Sequence, residues 1–330
     1  MKYVQFLYTL FLAGCLAISC SEDHDCEEGI IETPNAISPI DGADYVASLL
    51  DCRLPKVQTF TIQGFTGGQI LGTQGGIVNI PAQSLFNSDG TIIDGEVEVS
   101  LLEMFTSGDV IACQLSTNTR NATGNLEPTL SEGLLFYDIN FNGQPVVIQG
   151  EIQIFIPEEN NTQEQLLFNS PSCPNIDCTV IWENPQGAMA FPVEIVDPIG
   201  NTTTGYGAIT SQTGWHSIAQ FNPDTNQRTT VYNLPPSGFN DTNSNVFLSY
   251  DSDKIAISLF EQYDINLGVF SETYNEIPLN TQGQLVFVSR QNGTYMLDTS
   301  QIIVTQNIIG TTTNTSGATE DQLITVINSL

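Results

Sequence analysis

Positive charge is what this sequence most lacks. Its 330 residues carry seven Lys plus Arg against 37 Asp plus Glu, a formal net charge of −30. No basic patch can form to displace counterions from phosphates, which excludes nucleic acid as a partner. Charge attraction to anionic lipid headgroups is excluded on the same ground. Charged residues of either sign are only 13% of the chain, about half the usual share, so Asn, Gln, Thr and Ser must build the surface. Histidine is nearly absent too, with only His24 and His216. A Ser-His-Asp triad would have to use His216, and no Gly-x-Ser-x-Gly elbow accompanies it. No Cys-x2-Cys spacing supports zinc. No Gly-rich loop is followed by a Lys that could cradle phosphate. Among the scattered carboxylates no pair stands out for glycoside hydrolysis. The expectation is a protein that is not an enzyme and has no cofactor, with a hydrolase as the enzymatic alternative.

A long apolar run occurs once, at residues 3–18, after Met1-Lys2. One positive charge, an apolar stretch and then small residues predict a secretory signal over 1–19 rather than a membrane span. Two cysteines follow short apolar-small approaches of the kind that precede a diacylated thiol. Leu12-Ala13-Gly14-Cys15 fits locally, but cleavage there would leave an apolar start. Cleavage before Cys20 leaves Ser21-Glu22-Asp23-His24-Asp25, which resembles the acidic sorting signal of surface lipoproteins in Bacteroidota. Cys20 is therefore the expected lipid attachment site, with Cys15 as the alternative. The expected location is the outer membrane, lipid-anchored and surface-exposed. The acylated cysteine would make the bilayer its first partner.

The seven cysteines are 15, 20, 26, 52, 113, 173 and 178. An oxidising compartment permits disulfides. The segment Cys173-Pro-Asn-Ile-Asp-Cys178 is short and pre-bent by Pro174 and Asn175, so a local bridge is expected. Elimination then pairs Cys26 with Cys52 and leaves Cys113, inside the apolar run Val110-Ile111-Ala112, buried and free.

Residues 20–55 are acidic, contain Pro34 and Pro39, and are expected to form a tether with one helical turn near 43–50. From residue 57 onward short strands alternate with Gly and Pro turns. Val97, Val99 and Leu101 share one face of a strand, as do Ile152, Ile154 and Ile156. Ile255, Ile257 and Leu259 do the same farther on. Asn142-Gly143 and Asn292-Gly293 mark tight hairpins. Thr319-Glu320-Asp321 can cap a short C-terminal helix carrying Leu323, Ile324, Ile327 and Leu330. The fold class is all-β: two β-sandwich domains behind a lipid-anchored tether, with a short C-terminal helix. The expected divisions are a first sandwich over 56–157, a connector over 158–190 holding Trp182, and a second sandwich with the helix over 191–330. In the first sandwich Val78 and Ile80 should point to the core with Val97 and Val99, leaving Asn79 outside.

Residues 75–86, Gly-Gly-Ile-Val-Asn-Ile-Pro-Ala-Gln-Ser-Leu-Phe, are followed by Asp89-Gly90, Asp94-Gly95-Glu96-Val97-Glu98-Val99 and Glu103. This order resembles the opening of a ZU5-like β-sandwich, as in ankyrins and netrin receptors, and more closely the version in Bacteroidota surface lipoproteins. Gly214-Trp215 and a second β region extend the resemblance over about 56–330. It implies a fold and an interaction role, and no cofactor. Some ZU5-related proteins cleave themselves at His-x-Ser. Here Trp215-His216-Ser217 lacks the intervening residue, so that activity does not carry over.

Hard oxygens at Asp241, Asn243, Asp251 and Asp253 are weak calcium candidates, since neither loop completes a twelve-residue site and Asn and Asp also simply make turns. The function expected is a non-catalytic cell-envelope lipoprotein acting as a protein-interaction or structural module, with envelope proteins as partners. The alternative is a glycan-binding surface lipoprotein. An exposed aromatic platform would favour the alternative, and burial of both Trp182 and Trp215 would count against it.

Overall fold

Three turns of helix open the described part of the chain, α1 (Ala43–Arg53). The computed structural model describes residues 40–160, 162–184, 187–196 and 200–330. The expected signal peptide, Cys15, Cys20 and Cys26 lie outside them. Asp41 Oδ1 accepts the Ala43 N–H at 3.0 Å and starts the helix. Asp44 and Asp51 then pair with Arg290, while Tyr45, Ser48, Cys52 and Arg53 are buried. The tether expected over 20–55 is thus corrected at its C-terminal end, because residues 43–53 belong to the fold. Their sequence carries only a weak apolar stripe. The fastenings are a bond and ion pairs to residues 61 and 239 positions away.

Strand makes up 48% of the chain and helix 10%, which places it in the all-β class. The first sheet is built from β1 (Gln58–Gln63), β2 (Gly68–Leu71), β3 (Ile77–Ile80), β4 (Glu96–Met104), β5 (Leu126–Phe141), β6 (Ile152–Pro157), β7 (Gln165–Asn169), β8 (Met189–Val196), β9 (Thr202–Thr210) and β10 (Gly214–Phe221). Its spatial order is β1-β4-β5-β10-β7-β8-β9-β6-β3-β2. The turn from β1 into β2 brings the two ends of that path together through the Gln63–Gly67 bridge. Gly67 has φ +65°, and a Cβ there would overlap the Ile80 carbonyl oxygen, so glycine is required. The sheet curls around one core, with Ile70, Val78, Ile80, Val97, Val99, Leu101, Ile152, Ile154 and Ile156 inside. Asn79, between two buried neighbours, is only half-buried. Pairing of Glu103 with this turn region is structural. Its carboxylate accepts the N–H groups of Gln74 at 3.0 Å and Gly76 at 2.7 Å, and the Gln58 amide at 2.8 Å.

Beyond this sheet come β11 (Tyr232–Leu234), β12 (Ser244–Tyr250), β13 (Ile257–Leu259), β14 (Gln262–Asp264), β15 (Val269–Ser271), β16 (Gln282–Gln291), β17 (Thr294–Ile303), β18 (Ile309–Thr311) and β19 (Ser316–Ala318). They form a sheet β13-β12-β16-β17-β19 and a smaller one, β14-β15-β11-β18. Side-chain alternation makes each large sheet serve two cores. In β5, Leu135 and Tyr137 enter the first core while Leu134 and Phe136 enter a second. In β12 and β16, Phe247, Val286 and Val288 enter the second core, whereas Val246, Leu248, Leu285 and Phe287 enter a third against the small sheet. Helices α1, α2 (Ser107–Ala112) and α3 (Glu320–Asn328) close the second core with Tyr45, Val110, Leu323 and Ile327. A capping box starts α3: Thr319 Oγ1 accepts the Gln322 N–H and Gln322 Oε1 accepts the Thr319 N–H. Ile255 and Ile257 are buried in the second core, and Leu259 packs against it.

The division at 157, 190 and 191 does not follow the sheets. Strands β8, β9 and β10, assigned from sequence to the end of the connector and to a second sandwich, lie in the first sheet. From Pro39 to Leu330 the chain clusters as one unit. A period of two shows which side chains share a face, and says nothing of which sheet that strand joins. The hairpin turns follow the Asn-Gly pairs: Asn142 and Gly143 have φ 52° and 73°, Asn292 and Gly293 have 51° and 76°.

Candidate functional site

Strands β3, β6, β9 and β8 line up so that Val78, Ile154, Ala208 and Ala190 point into the first core. The next residues along each strand must then face outward. They form one cross-strand row, Ile77, Phe155, Gly207 and Phe191. The neighbouring row is Gln69, Asn79, Gln153 and Ile209. Gly207 contributes no side chain between Phe155 and Phe191, and a groove of about 560 Å³ opens over this face. The outer face of a sandwich sheet is ordinarily polar. Here Phe191 is 49% and Ile209 51% exposed, and Met189, Val193 and Ile195 extend the apolar lining. Phe155 is buried, its ring lying against Gly205. Along the polar rim Asn79 Nδ2 donates to Gln153 Oε1 at 3.0 Å. Glu194 is the one charged residue among those lining the groove.

The groove was missed in the sequence reading, although two signals point to it. Residues 189–193 are apolar on both faces instead of alternating. Gly205 and Gly207 recur with period two in the adjacent strand, which leaves a gap in the middle of one face of that strand.

The residues singled out for chemistry sit elsewhere and are consumed by the fold. Strand alternation puts His216 and Ser217 on opposite sides of β10. His216 stacks on Tyr137 with ring centroids 5.2 Å apart. Its Nδ1 lies 3.1 Å from the Gly214 carbonyl oxygen and its Nε2 3.1 Å from Thr210 Oγ1. The carbonyl can only accept, so Nδ1 carries the proton and Nε2 accepts from Thr210, which is the neutral imidazole. Burial lowers its pKa to about 4. Ser217 Oγ meets Ser131 Oγ at 2.9 Å on the other side. The two side chains therefore form no nucleophile–base pair. Both tryptophans are buried, with Trp182 Nε1 donating to Ser116 O and Trp215 Nε1 to Asn175 O. Neither provides a surface platform for a sugar.

Cys173 is bonded to Cys178. Cys52 is bonded to Cys113, which corrects both the Cys26–Cys52 pairing and the free Cys113. Elimination failed because α1 packs against the turn that follows α2, where Gln114 donates to Tyr45 O and Ser48 Oγ, bringing positions 61 apart together. Arg53 joins the two bridged loops. Its guanidinium donates to the carbonyl oxygens of Cys113 at 3.0 Å, Gln114 at 3.2 Å, Ile176 at 2.7 Å and Cys178 at 2.9 Å, and lies 5.3 Å from the Trp215 ring centroid. Desolvation lowers its pKa to about 9.

The calcium candidates do not converge. Asn243 is buried and its amide is spent on Ile40 O, Gly238 O and the Asn240 N–H. Asp241, Asp251 and Asp253 are exposed. Among the described residues no cluster of three or more His, Cys, Asp or Glu has metal-binding geometry. Other buried acids have partners: Glu127, with half-buried Glu276, holds Arg228 at 3.0 and 3.4 Å, and Glu132 pairs with Lys254. Glu272 accepts three N–H groups of residues 274–276, yet burial still pushes its pKa up to about 7. No helix among the described residues is long and apolar enough to cross a membrane. Compared with known proteins, the chain matches no family model and no curated protein.

Proposed function

We propose that this chain is a non-catalytic cell-envelope lipoprotein that works by binding, and that the outer face of β8, β9, β6 and β3 is its binding face. The observation that carries this reading is the contrast between that face and the rest of the molecule. The open groove is apolar, rimmed by amides, and lined by no acid–base pair. His216 and Glu272, whose pKa values burial perturbs, are held in structural hydrogen bonds away from it. The lipid anchor is Cys20, on the strength of the acidic start that follows it, and places the chain at the outer membrane facing outward. The opening strands remain ZU5-like in this proposal, on the turn glycines and Ile80-Pro81-Ala82. The test is acylation and location together. Cys20→Ala should abolish labelling by a fatty-acid analogue and move the protein out of the membrane fraction, while the wild type on intact cells reacts with an impermeant amine or carboxyl reagent. Acylation that survives Cys20→Ala but not Cys15→Ala moves the anchor; survival in both variants overturns the lipoprotein reading.

A further inference from the structure

We infer that the groove on this outer face takes a neutral oligosaccharide, seated on Phe191 over Gly207 and hydrogen-bonded by the Gln69–Asn79–Gln153 row. The inference rests on the reading of this face as the binding face and adds the class of ligand. The floor is set by register. Phe191 stands beside Gly207, and the absent side chain there leaves the ring open on its inner side. One exposed aromatic edge, several aliphatic neighbours and a few convergent polar groups are the ordinary makeup of a small-molecule site, and about 560 Å³ falls within the usual range of roughly 300–1,000 Å³. The polar groups decide the class. Three amide side chains stand in adjacent strands, about 5 Å apart from one strand to the next. The Asn79–Gln153 bond uses one donor and one acceptor, leaving further donors and acceptors in the row for a ligand. A wholly apolar ligand, such as an acyl chain, would strip water from these amides and return nothing. A saccharide ring offers an apolar C–H face to Phe191 and hydroxyls to the amides at once. Charge narrows it further. Glu194 lies in the groove and no cation lines it among the described residues, so uronic or sulfated sugars are repelled, and so is a second copy of this −30 chain. The buried tryptophans play no part, and the aromatic role falls on Phe191.

The test uses the full-length protein purified in detergent and a panel of neutral hexasaccharides of glucose, mannose and N-acetylglucosamine, with polygalacturonate as the anionic comparison. At least one neutral probe should bind by calorimetry. Phe191→Ala and Gln153→Ala should each weaken it about tenfold, equivalent to about 1.4 kcal/mol. Gly207→Leu should abolish it by filling the floor. Its backbone lies outside the left-handed region, and the atoms nearest the new Cβ all belong to Val193, with Cγ2 at 3.1 Å. An unchanged melting temperature in Phe191→Ala, whose side chain is half exposed, separates lost binding from lost folding. No binding by any neutral probe, equal binding of polygalacturonate, or full binding by Gly207→Leu overturns the inference. If that happens while acylation at Cys20 and surface labelling hold, the ligand class alone falls; if acylation fails, the lipoprotein reading falls with its own experiment.

Discussion

Protonating His216 should destabilise the fold in a defined pH window, and the size of the effect follows from its surroundings. The imidazole is fully buried, donates from Nδ1 to Gly214 O and accepts at Nε2 from Thr210. Both ring nitrogens are satisfied only in the neutral form. A proton on Nε2 would put a cation in the core and turn the Thr210 contact from acceptor to donor. With a folded pKa of about 4 and an unfolded value near 6.5, the unfolded chain binds a proton that the native chain does not between those values. Stability from this group is therefore complete above about pH 6.5, falls as pH drops, and levels off below about pH 4. By linkage the loss is about 2 kcal/mol at pH 5 and about 3 kcal/mol at pH 4. Glu272 acts in the opposite sense. Its folded pKa is raised to about 7, so the native state holds a proton that the unfolded chain has lost, and stability rises as pH falls through the same window. The wild-type profile alone would mix the two. The difference between wild type and His216→Gln isolates the histidine, because Glu272 and every other group cancel. Urea unfolding of both proteins at pH steps from 7.5 to 4 should show the wild-type advantage shrinking by about 2–3 kcal/mol. A constant difference across that range would mean that His216 titrates normally, and the buried neutral imidazole would be wrong.

Arg53→Lys should destabilise by at least about 2 kcal/mol in denaturant unfolding, because a point ammonium cannot satisfy four carbonyls arranged for a planar fork; a loss under about 0.5 kcal/mol would show that the carbonyls are solvated instead. Peptide mapping without reduction should link Cys52 to Cys113, and Cys113→Ala should cost about 4 kcal/mol for opening a loop of 61 residues; recovery of a Cys26–Cys52 peptide would contradict the packing of α1. Ile80→Asp should prevent folding, since it buries an unpaired charge in place of ~1.5–3 kcal/mol of apolar contact, while Asn79→Asp should change stability by less than about 0.5 kcal/mol. The reverse order of severity, read by circular dichroism and thermal melting, would place β3 one residue out of register.

What the sequence made legible is local. Val78 and Ile80 against Asn79, the Asn-Gly hairpins and the helix start at Thr319 each depend on residues within a few positions, where alternation, positive φ and capping chemistry leave few options. Membership of a sheet is a different kind of fact. β10 carries Ile218 toward one core and Trp215 toward another, and nothing within its eight residues says that β5 and β7 lie on either side. Hence 191–221 was assigned to a second sandwich when it completes the first. The same limit hid the Cys52–Cys113 bond, which depends on α1 meeting the turn after α2 across 61 positions of chain.

The groove fell between these two kinds of fact, and its physical origin explains why. Two of the strands that line it are unremarkable alone, β3 a short apolar strand with one Asn and β6 an isoleucine ladder, and the odd features of β8 and β9 do not by themselves say that the two strands adjoin. A binding face arises only when register sets Gly207 between two phenylalanines and aligns three amides from separate strands. A single Asn or Gln on a strand belongs to the solvated surface, which is the correct expectation for any one of these amides. Their alignment in one row beside an uncovered aromatic is what changes the reading. A one-residue slip of β3 against β6 would test that dependence, since it would carry Asn79 into the core and Ile80 into the groove. The burial of Ile80 at 1% exposure therefore fixes the amide row as firmly as it fixes the core. Any substitution that shifts this register should lose the groove and the first core together, whereas Gly207→Leu should lose the groove alone.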